Sequence, residues 1–431
     1  MTGGAIGDID PWPDFEALCR LGGRLCGTPS EAAARAVLAD RLRKLASRYG
    51  GRFRAIRQPY DGWRAQSGRL HVAETPGSFE GYPLLRSPAT PAGGLPGEVV
   101  DLGRGHETDF ARCAAALRGC IALVRHEFMF STDHVHRIRK YAWAADGGAA
   151  AFLIAPTDGL SGPVGGGLRF GDLPPIPAMG IGAAAAAALG GPEGARPRVR
   201  LVIEAEAEAM ETEMLCLEFA GETDDWIVLS AHLDGHGLAE SAIDNASGVA
   251  AALAAAETVA AQAAAMGDRL RRGLRLCLFS IEEWGLLGSE AYVAGLDAAE
   301  QRAVALNVNL DSVAGSPDLT ALYSDFPPLA GFLRSAAASY GAPLALHEPL
   351  VRNSDHYSFA AAGIPACRLL AGFGRPESNM RYVLTPGDTA DKVDPGDLER
   401  AAGLTAHIVY RACTADRLDL RADRKSGVSC N

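Results

Sequence analysis

After residue 212 the chain alternates short apolar runs with longer segments that carry apolar residues at helical spacing. The apolar runs predict strands at 227–230, 274–279, 303–310 and 365–370. The other segments predict helices near 246–266, 287–295, 327–340 and 396–412. This alternation predicts an α/β fold with a mostly parallel central sheet flanked by helices. Ligands of such sheets bind beyond the carboxyl ends of the strands, so a functional site is expected there.

The first 212 residues follow a less regular pattern. Helical spacing runs through 14–48, with a helix start at Thr28 or Ser30, and strands are predicted near 52–58 and 68–73. Proline and glycine then punctuate residues 75–97, which indicates the entrance to a second domain. Within that domain, short strands are predicted at 98–101, 121–124 and 151–154, with a helix near 135–146. These elements predict a compact β-rich unit inserted into the main sheet domain.

Composition excludes several classes of protein. The net charge of -11 makes a broad nucleic-acid interface unexpected. No run approaches the ~20 apolar residues of a membrane helix, and the Ala-rich tract 249–265 is interrupted by Glu257, Thr258 and Gln262. The N-terminus shows no basic stretch followed by an apolar one, and the nine cysteines have no paired spacing. We therefore expect a cytoplasmic protein with reduced thiols, whose oligomeric state the sequence leaves open.

Four short segments place acidic or imidazole side chains where predicted strands end or a helix begins. They are His232-Leu-Asp234, Asp244-Asn-Ala-Ser-Gly248, Glu282-Glu283-Trp-Gly285 and Asn309-Leu-Asp311. Neutral imidazole and carboxylate oxygens are the donors that zinc accepts alongside thiolate. The four segments together therefore predict a metal site.

The first two segments also admit simpler interpretations. Asp234 can accept a hydrogen bond from the imidazole of His232 and leave the other ring nitrogen for a metal, although a capped loop explains the pair equally well. Asp244 opens the Ala-rich helix, where a carboxylate suits the helix dipole as a plain N-cap. In the context of the other segments we interpret Asp244 as a carboxylate that bridges two metal ions.

Adjacent Glu282 and Glu283 diverge in direction as they leave a strand, so they can take different roles. We assign Glu283 as a ligand and Glu282 as the acid–base group that takes a proton from water and passes it to a leaving amine. A solvated acidic turn is the alternative. His356, in Ser354-Asp355-His356, is either a hydrogen-bonding neighbour of the site or a ligand.

The order of these segments resembles the co-catalytic dizinc aminopeptidase family, which has carboxypeptidase-like and glutaminyl cyclase-like relatives. The matching segments are Ser230-Ala-His-Leu-Asp234, Ser241-Ala-Ile-Asp-Asn-Ala-Ser-Gly248, Phe279-Ser-Ile-Glu-Glu-Trp-Gly-Leu-Leu-Gly-Ser289, Asn309-Leu-Asp311, Asn353-Ser-Asp-His356 and Leu384-Thr-Pro-Gly-Asp-Thr389. The insert is similar to a protease-associated domain through Gly119-Cys-Ile-Ala-Leu-Val124, Gly147-Gly-Ala-Ala150 and Ile176-Pro-Ala-Met-Gly180. The resemblance implies a zinc peptidase domain of residues 1–85 and 207–415, a protease-associated (lid) insert of residues 86–206 and a tail of residues 416–431.

The resemblance also implies the roles of individual residues. His232 and Asp311 would hold one zinc ion, Asp244 would bridge both ions, and Glu283 would hold the other. Glu282 would be the acid–base group. A cis peptide is implied between Asp244 and Asn245.

One position departs from the family pattern. The family has a histidine ligand shortly before the Asp-Thr of the last segment, and here Leu384 occupies that position. Leucine cannot bind zinc, so three outcomes are open. His356 or His236 fills the gap; one metal is held by His232, Asp244 and Asp311; or hydrolysis is lost. His236 could equally line the substrate pocket.

Several other residues are weaker candidates. The hydroxyl of Tyr382 could stabilise an oxyanion, or its ring could simply pack. Four arginines near the last segments could bind a substrate carboxylate or remain solvated, namely Arg352, Arg368, Arg375 and Arg381. The glycines Gly165, Gly166 and Gly167 lack the helix and lysine of a phosphate-binding loop, so no nucleotide site is predicted.

The sequence thus predicts a zinc-dependent metallopeptidase or amidohydrolase with one or two Zn²⁺ per chain. The predicted substrate is a short peptide or N-acyl amino acid, and an aminopeptidase is preferred. The alternative is a catalytically silent relative that acts as a binding protein because of Leu384. The retained pair Glu282 and Glu283 argues against it, because two adjacent acids repel each other and serve no purpose in a silent protein. A cyclase-like reaction at one zinc is a third, weaker reading.

Overall fold

The computed structural model describes residues 9–421 apart from 74, 158, 169–173, 193, 268–269, 325 and 349. Most of the predicted tail therefore lies outside the described residues. The strands are β1 Arg52–Val72, β2 Phe79–Pro83, β3 Leu95–Asp101, β4 Ile121–Arg125, β5 Ala151–Ala155, β6 Ala178–Ile181, β7 Arg198–Phe219, β8 Trp226–His232, β9 Gly273–Phe279, β10 Val304–Leu310, β11 Leu319–Tyr323, β12 Ala345–His347 and β13 Ala366–Ala371. The helices are α1 Trp12–Cys19, α2 Pro29–Tyr49, α3 Glu107–Leu117, α4 Arg137–Asp146, α5 Ala183–Ala188, α6 Gly248–Met266, α7 Leu287–Ala294, α8 Ala298–Ala303, α9 Pro327–Tyr340, α10 His356–Ala361 and α11 Pro395–Thr414.

The main sheet has the strand order β7-β9-β8-β10-β13-β11-β12. The central pairs β9–β8, β8–β10 and β10–β13 are parallel, whereas β7–β9 and β11–β13 are antiparallel. In β8 the side chains of Ile227, Val228 and Leu229 are all buried, because helices cover both faces of the sheet. The predicted α/β fold with a mostly parallel central sheet is confirmed.

Helix α6 is the central helix of one layer and is built largely from alanine. Its residues from Gly248 to Ala260 are buried, and α11 packs along it. Among the described residues, the helical stretch Ala242–Met266 has the length and apolar character to cross a bilayer, and 67% of its most apolar window is buried within the fold. Small side chains explain this burial, since they let the flanking helix and the sheet approach closely.

Strands β1 and β7 form a long antiparallel ribbon that joins the main sheet to the insert. The prediction of two separate strands near 52–58 and 68–73 was wrong, because β1 is continuous from Arg52 to Val72. Polar residues and Pro59 interrupt the apolar pattern of a strand between these two segments. The stretch is nevertheless extended, because β7 pairs with it along its whole length. Strand β7 also passes through residue 207, the predicted domain boundary, without a break.

The insert is a second sheet with the strand order β2-β6-β5-β4-β3. Its three inner pairs, β3–β4, β4–β5 and β5–β6, are parallel, and the edge pair β2–β6 is antiparallel. Helices α3 and α4 contact each other, and the side chains of Phe110, Tyr141 and Phe152 form part of a buried cluster there. The insert therefore has its own core, and α4 begins at its side facing the main domain.

Candidate active site

The main sheet delivers the predicted site residues to one edge. His232 is the last residue of β8, Glu282 and Glu283 follow β9, and Asp311 follows β10. Asp244 lies in the turn that leads into α6. Because these strands are parallel neighbours, their carboxyl ends lie side by side and present the side chains to a common space.

The distances between these side chains suit a metal ion. The Nε2 atom of His232 lies 3.2 Å from Oδ1 of Asp244 and 3.6 Å from Oδ1 of Asp311. Ligand atoms of His232, Glu282 and Asp311 all lie within 4.8 Å of one another. Four ligands around a tetrahedral zinc ion, with bonds of roughly 2.0–2.2 Å, lie about 3.3 Å apart. The side chains are therefore spaced as a zinc ion requires.

Hydrogen bonding points to the same conclusion. Within the described part of the chain, His232 Nε2, Asp244 Oδ1 and Glu283 Oε1 are buried and have no hydrogen-bond partner. Buried polar atoms without partners are costly and rare, so a group that satisfies them is expected. A divalent cation accepts all three donor types, and these residues fit a bound zinc ion.

The charges of the site are unbalanced without a cation. Burial raises the pKa of Glu282 and of Glu283 well above the ordinary range. Burial also acts to lower the pKa of His232, but the neighbouring carboxylates, Glu282 foremost, raise it well above its usual value. Burial acts to raise the pKa of Asp311, yet the Arg368 guanidinium, 3.0 Å from its Oδ1, holds it well below the usual range. An excess of buried carboxylates of this kind is relieved by a bound divalent cation.

Asp234 orients three other residues of the site, namely His232, Glu282 and Glu283. Its two carboxylate oxygens accept the backbone N–H groups of Glu282 and Glu283 at 3.2 and 3.3 Å. The Nδ1 atom of His232 lies 3.1 Å from the carbonyl oxygen of Asp234 and 3.6 Å from its Oδ1. The imidazole is thus oriented mainly by the Asp234 carbonyl, and the carboxylate fixes the turn that carries both glutamates.

Asn245 positions its neighbour Asp244. The Asp244–Asn245 peptide is cis, as the family resemblance implied. The amide of Asn245 donates to the Leu310 carbonyl at 2.9 Å and accepts the N–H of Ser312 at 3.1 Å. These bonds fasten the start of α6 to the end of β10, so Asp244 and Asp311 keep a fixed separation.

Asp388 is a positioning residue whose role sequence reasoning missed. Its Oδ1 accepts the N–H of Ile243 at 2.7 Å, and its Oδ2 accepts the N–H of Asp244 at 3.2 Å. The same Oδ2 lies 3.1 Å from Nε2 of His236. The only signal in the sequence was its place in the Asp-Thr pair of the last matching segment.

Replacing Asp388 with alanine is expected to weaken zinc binding by about 10–100-fold, the usual cost of losing a group that orients a ligand. The substitution leaves two buried N–H groups and an imidazole without their acceptor. Zinc titration of the purified chain measures the effect. Asp391→Ala, an exposed acid on the same segment, is the control, and an unchanged affinity in Asp388→Ala would contradict the assigned role.

The structure gives three secondary candidates other surroundings. His236 is buried, with Nε2 on Asp388 and Nδ1 accepting the N–H of Leu238 at 3.2 Å. His356 is fully buried, and burial together with Arg368 lowers its pKa to about 3. Tyr382 accepts a hydrogen bond from Arg381 at 3.0 Å. None of the three is among the described residues that line the active-site cavity, so a role in ligation or catalysis stays a prediction.

A cavity of about 750 Å³ lies over the site and is walled by both domains. Asp244, Glu282, Glu283 and Asp311 of the main domain line it, together with Met129, Phe130 and Arg137 of the insert. Leu384 also lines it and is only 4% exposed.

Backbone conformation is unusual around the site. Five of the six described non-glycine residues with positive φ lie on its segments, namely Ser241, Ile281, Leu286, Ser312 and Leu384. Such conformations cost energy and cluster where a fold holds functional groups in place.

A parallel sheet that presents one imidazole and several carboxylates at its carboxyl edge, beneath an inserted domain, defines an α/β metallohydrolase. Residues 215–409 match the model of peptidase family M28, and residues 88–189 match the PA domain. These two matches agree with the resemblance to zinc peptidases and with the protease-associated insert that the sequence predicted.

Individual relatives agree with this assignment. Leupeptin-inactivating enzyme 1 of Streptomyces exfoliatus is 32% identical over 152 residues, which are 35% of this chain and 34% of that protein. Aminopeptidase YwaD of Bacillus subtilis is 25% identical over 92% of this chain and 83% of its own length. The structure of BSAP, a zinc aminopeptidase from Bacillus subtilis, covers 96% of this chain and 98% of its own, with a TM-score of 0.74 and 23% identity. The chain thus spans about a third of the first relative and most of the others, and the structural likeness concerns the fold.

Proposed function

We propose that this protein is a zinc-dependent aminopeptidase that removes residues from the amino end of short peptides. The observation that carries the proposal is the position of His232 Nε2, 3.2 Å from Asp244 Oδ1 and 3.6 Å from Asp311 Oδ1, with a ligand atom of Glu282 within 4.8 Å of those of His232 and Asp311. The family assignment and the relatives named as aminopeptidases support it.

The residues suit hydrolysis of an amide bond. Zinc bound by His232, Asp244 and Asp311 would polarise the scissile carbonyl and make water more acidic. Glu282 takes a proton from the water while the water oxygen bonds to the carbonyl carbon. It then passes that proton to the amide nitrogen as the carbon–nitrogen bond breaks.

Both acidic and basic side chains line the cavity. Its carboxylates can bind the α-ammonium group of a free amino end, whereas an N-acyl group offers them no charge. Met129, Phe130 and Leu350 supply apolar wall for a side chain. We therefore place aminoacyl peptides ahead of N-acyl amino acids.

The experiment compares aminoacyl amides with their N-acetylated counterparts and with N-acetyl amino acids, using chain stripped of metal and then reloaded with zinc. We expect zinc-dependent cleavage of the free-amine substrates and at least tenfold slower cleavage of acylated ones. Faster cleavage of N-acetyl amino acids would move the protein to the amidohydrolase class. Bound zinc without turnover of any substrate would favour a silent binding protein.

We also propose a reducing, cytoplasmic location. The eight described cysteines are all free, and six of them are buried, which supports a chain that folds with reduced thiols. Measuring free thiols on protein purified without reductant tests this.

A further inference from the structure

The half of the site around Glu283 lacks a ligand that the family pattern supplies. Leu384 stands at that position and presents an apolar side chain to the cavity. His236, the nearest alternative in the ligand loop, has both ring nitrogens engaged by Asp388 and Leu238. Glu283 is 8% exposed, and its Oε1 has no hydrogen-bond partner among the described residues.

Three consecutive glycines of the insert touch this half of the site, and we call them the triglycine segment: Gly165, Gly166 and Gly167. The N–H of Gly165 donates to the carbonyl of Leu384 at 2.8 Å. A Cβ on Gly167 would lie 2.5 Å from the carbonyl oxygen of Glu283. The segment therefore packs directly against both residues, and glycine is required for that approach.

The triglycine segment also binds a buried arginine. Arg137, the first residue of α4, is 7% exposed, and its Nε and Nη2 donate to the Gly167 carbonyl at 3.3 and 3.1 Å. A Cβ on Gly166 would lie 2.3 Å from Cζ of Arg137, so only glycine leaves room for the guanidinium. The triglycine segment thus has a structural role other than nucleotide binding, namely to hold Arg137.

Arg137 and Glu283 line the same cavity, and no direct ion pair joins them in the described chain. Its Nη1 is buried and has no hydrogen-bond partner in the described chain. A buried guanidinium is costly unless an anion compensates it. Burial lowers the pKa of Arg137 to about 10, and the charges that oppose this shift are Glu283 and then Glu282. Arg137, Glu283 and Leu384 line the same cavity.

We propose that the site holds a single metal ion, on His232, Asp244 and Asp311, and that the guanidinium of Arg137 supplies to Glu283 the positive charge of a second ion. This inference rests on the proposed zinc site and adds the number of ions and the residue that replaces one of them. Leu384 then needs no substitute ligand, because no second ion is bound.

The test counts zinc ions per chain by elemental analysis after equilibration with excess zinc and gel filtration. We expect one ion in the natural chain and one in Leu384→His, because the guanidinium repels a second cation. We expect two in Leu384→His combined with Arg137→Ala, which restores the imidazole and removes the cation. The control pairs Leu384→His with Arg112→Ala, an exposed arginine of α3, and should stay at one ion.

Each other outcome counts against the inference. Two ions in the natural chain, or in Leu384→His alone, would overturn it while leaving the proposed function intact. One ion in Leu384→His with Arg137→Ala would reject the role of Arg137. No ion in the natural chain would overturn the proposed function itself.

A second variant tests the same point with Arg137 retained, in case its replacement prevents the chain from folding. Gly166→Ala should displace the guanidinium, so its combination with Leu384→His is expected to bind a second ion. Gly159→Ala is the matched control, because both glycines have a left-handed φ but a Cβ on Gly159 meets nothing within 4 Å. Equal metal counts in the two combinations would reject the seating of Arg137 by the triglycine segment.

Discussion

Glu282→Gln is expected to lower kcat by about 10²–10⁴-fold, the range for loss of a positioned acid–base group. Glutamine has nearly the same shape and cannot accept the proton of the attacking water. Zinc should remain bound, since His232, Asp244 and Asp311 are untouched. Steady-state kinetics and zinc content of the same preparation measure both effects.

This variant also separates two roles that the geometry allows for Glu282. A ligand atom of Glu282 lies within 4.8 Å of those of His232 and Asp311, so its carboxylate is near enough to coordinate. If Glu282 is a ligand, zinc is lost together with activity. If it is the acid–base group, kcat falls at full zinc content. Glu399→Gln, an exposed acid of α11, is the control, and a kcat for Glu282→Gln like that of the control would reject both roles.

His232→Ala is expected to abolish zinc binding and bring activity to the level of the metal-free chain. Among the described residues proposed as ligands, only His232 offers a nitrogen, and its Nε2 lies within 3.6 Å of the oxygens of Asp244 and Asp311. Zinc at about 100 times its Kd stabilises a folded chain by about 2.7 kcal/mol. The natural chain should therefore gain thermal stability when zinc is added, and His232→Ala should not.

Thermal unfolding with and without zinc measures this difference, alongside the zinc content. His71→Ala, which removes an exposed histidine of β1, should respond to zinc as the natural chain does. Retention of one zinc ion by His232→Ala would show that the metal lies elsewhere in the cavity, and would remove the basis of the proposed function.

Sequence reasoning succeeded where local pattern and position in a strand carry the information. The strands β8, β9 and β10 are buried on both faces, so runs of mostly apolar residues identify them in the sequence. Parallel strands bring their carboxyl ends together, which is why segments nearly 80 positions apart were expected to meet. The continuity of β1 was not predicted, because it depends on backbone hydrogen bonds to β7 and not on an apolar pattern in β1 itself.

The sequence by itself determined the α/β fold, the candidate ligands His232, Asp244 and Asp311, and the departure at Leu384. Only the tertiary structure decided what surrounds them: Asp388 hydrogen-bonds the backbone of Asp244, and the triglycine segment holds Arg137 in the cavity that Glu283 also lines. Strand periodicity is a property of neighbouring residues, whereas the approach of Arg137 depends on contacts between two domains. No local pattern encodes such a contact, because its energy arises from burial and charge that exist only once the two domains are packed together.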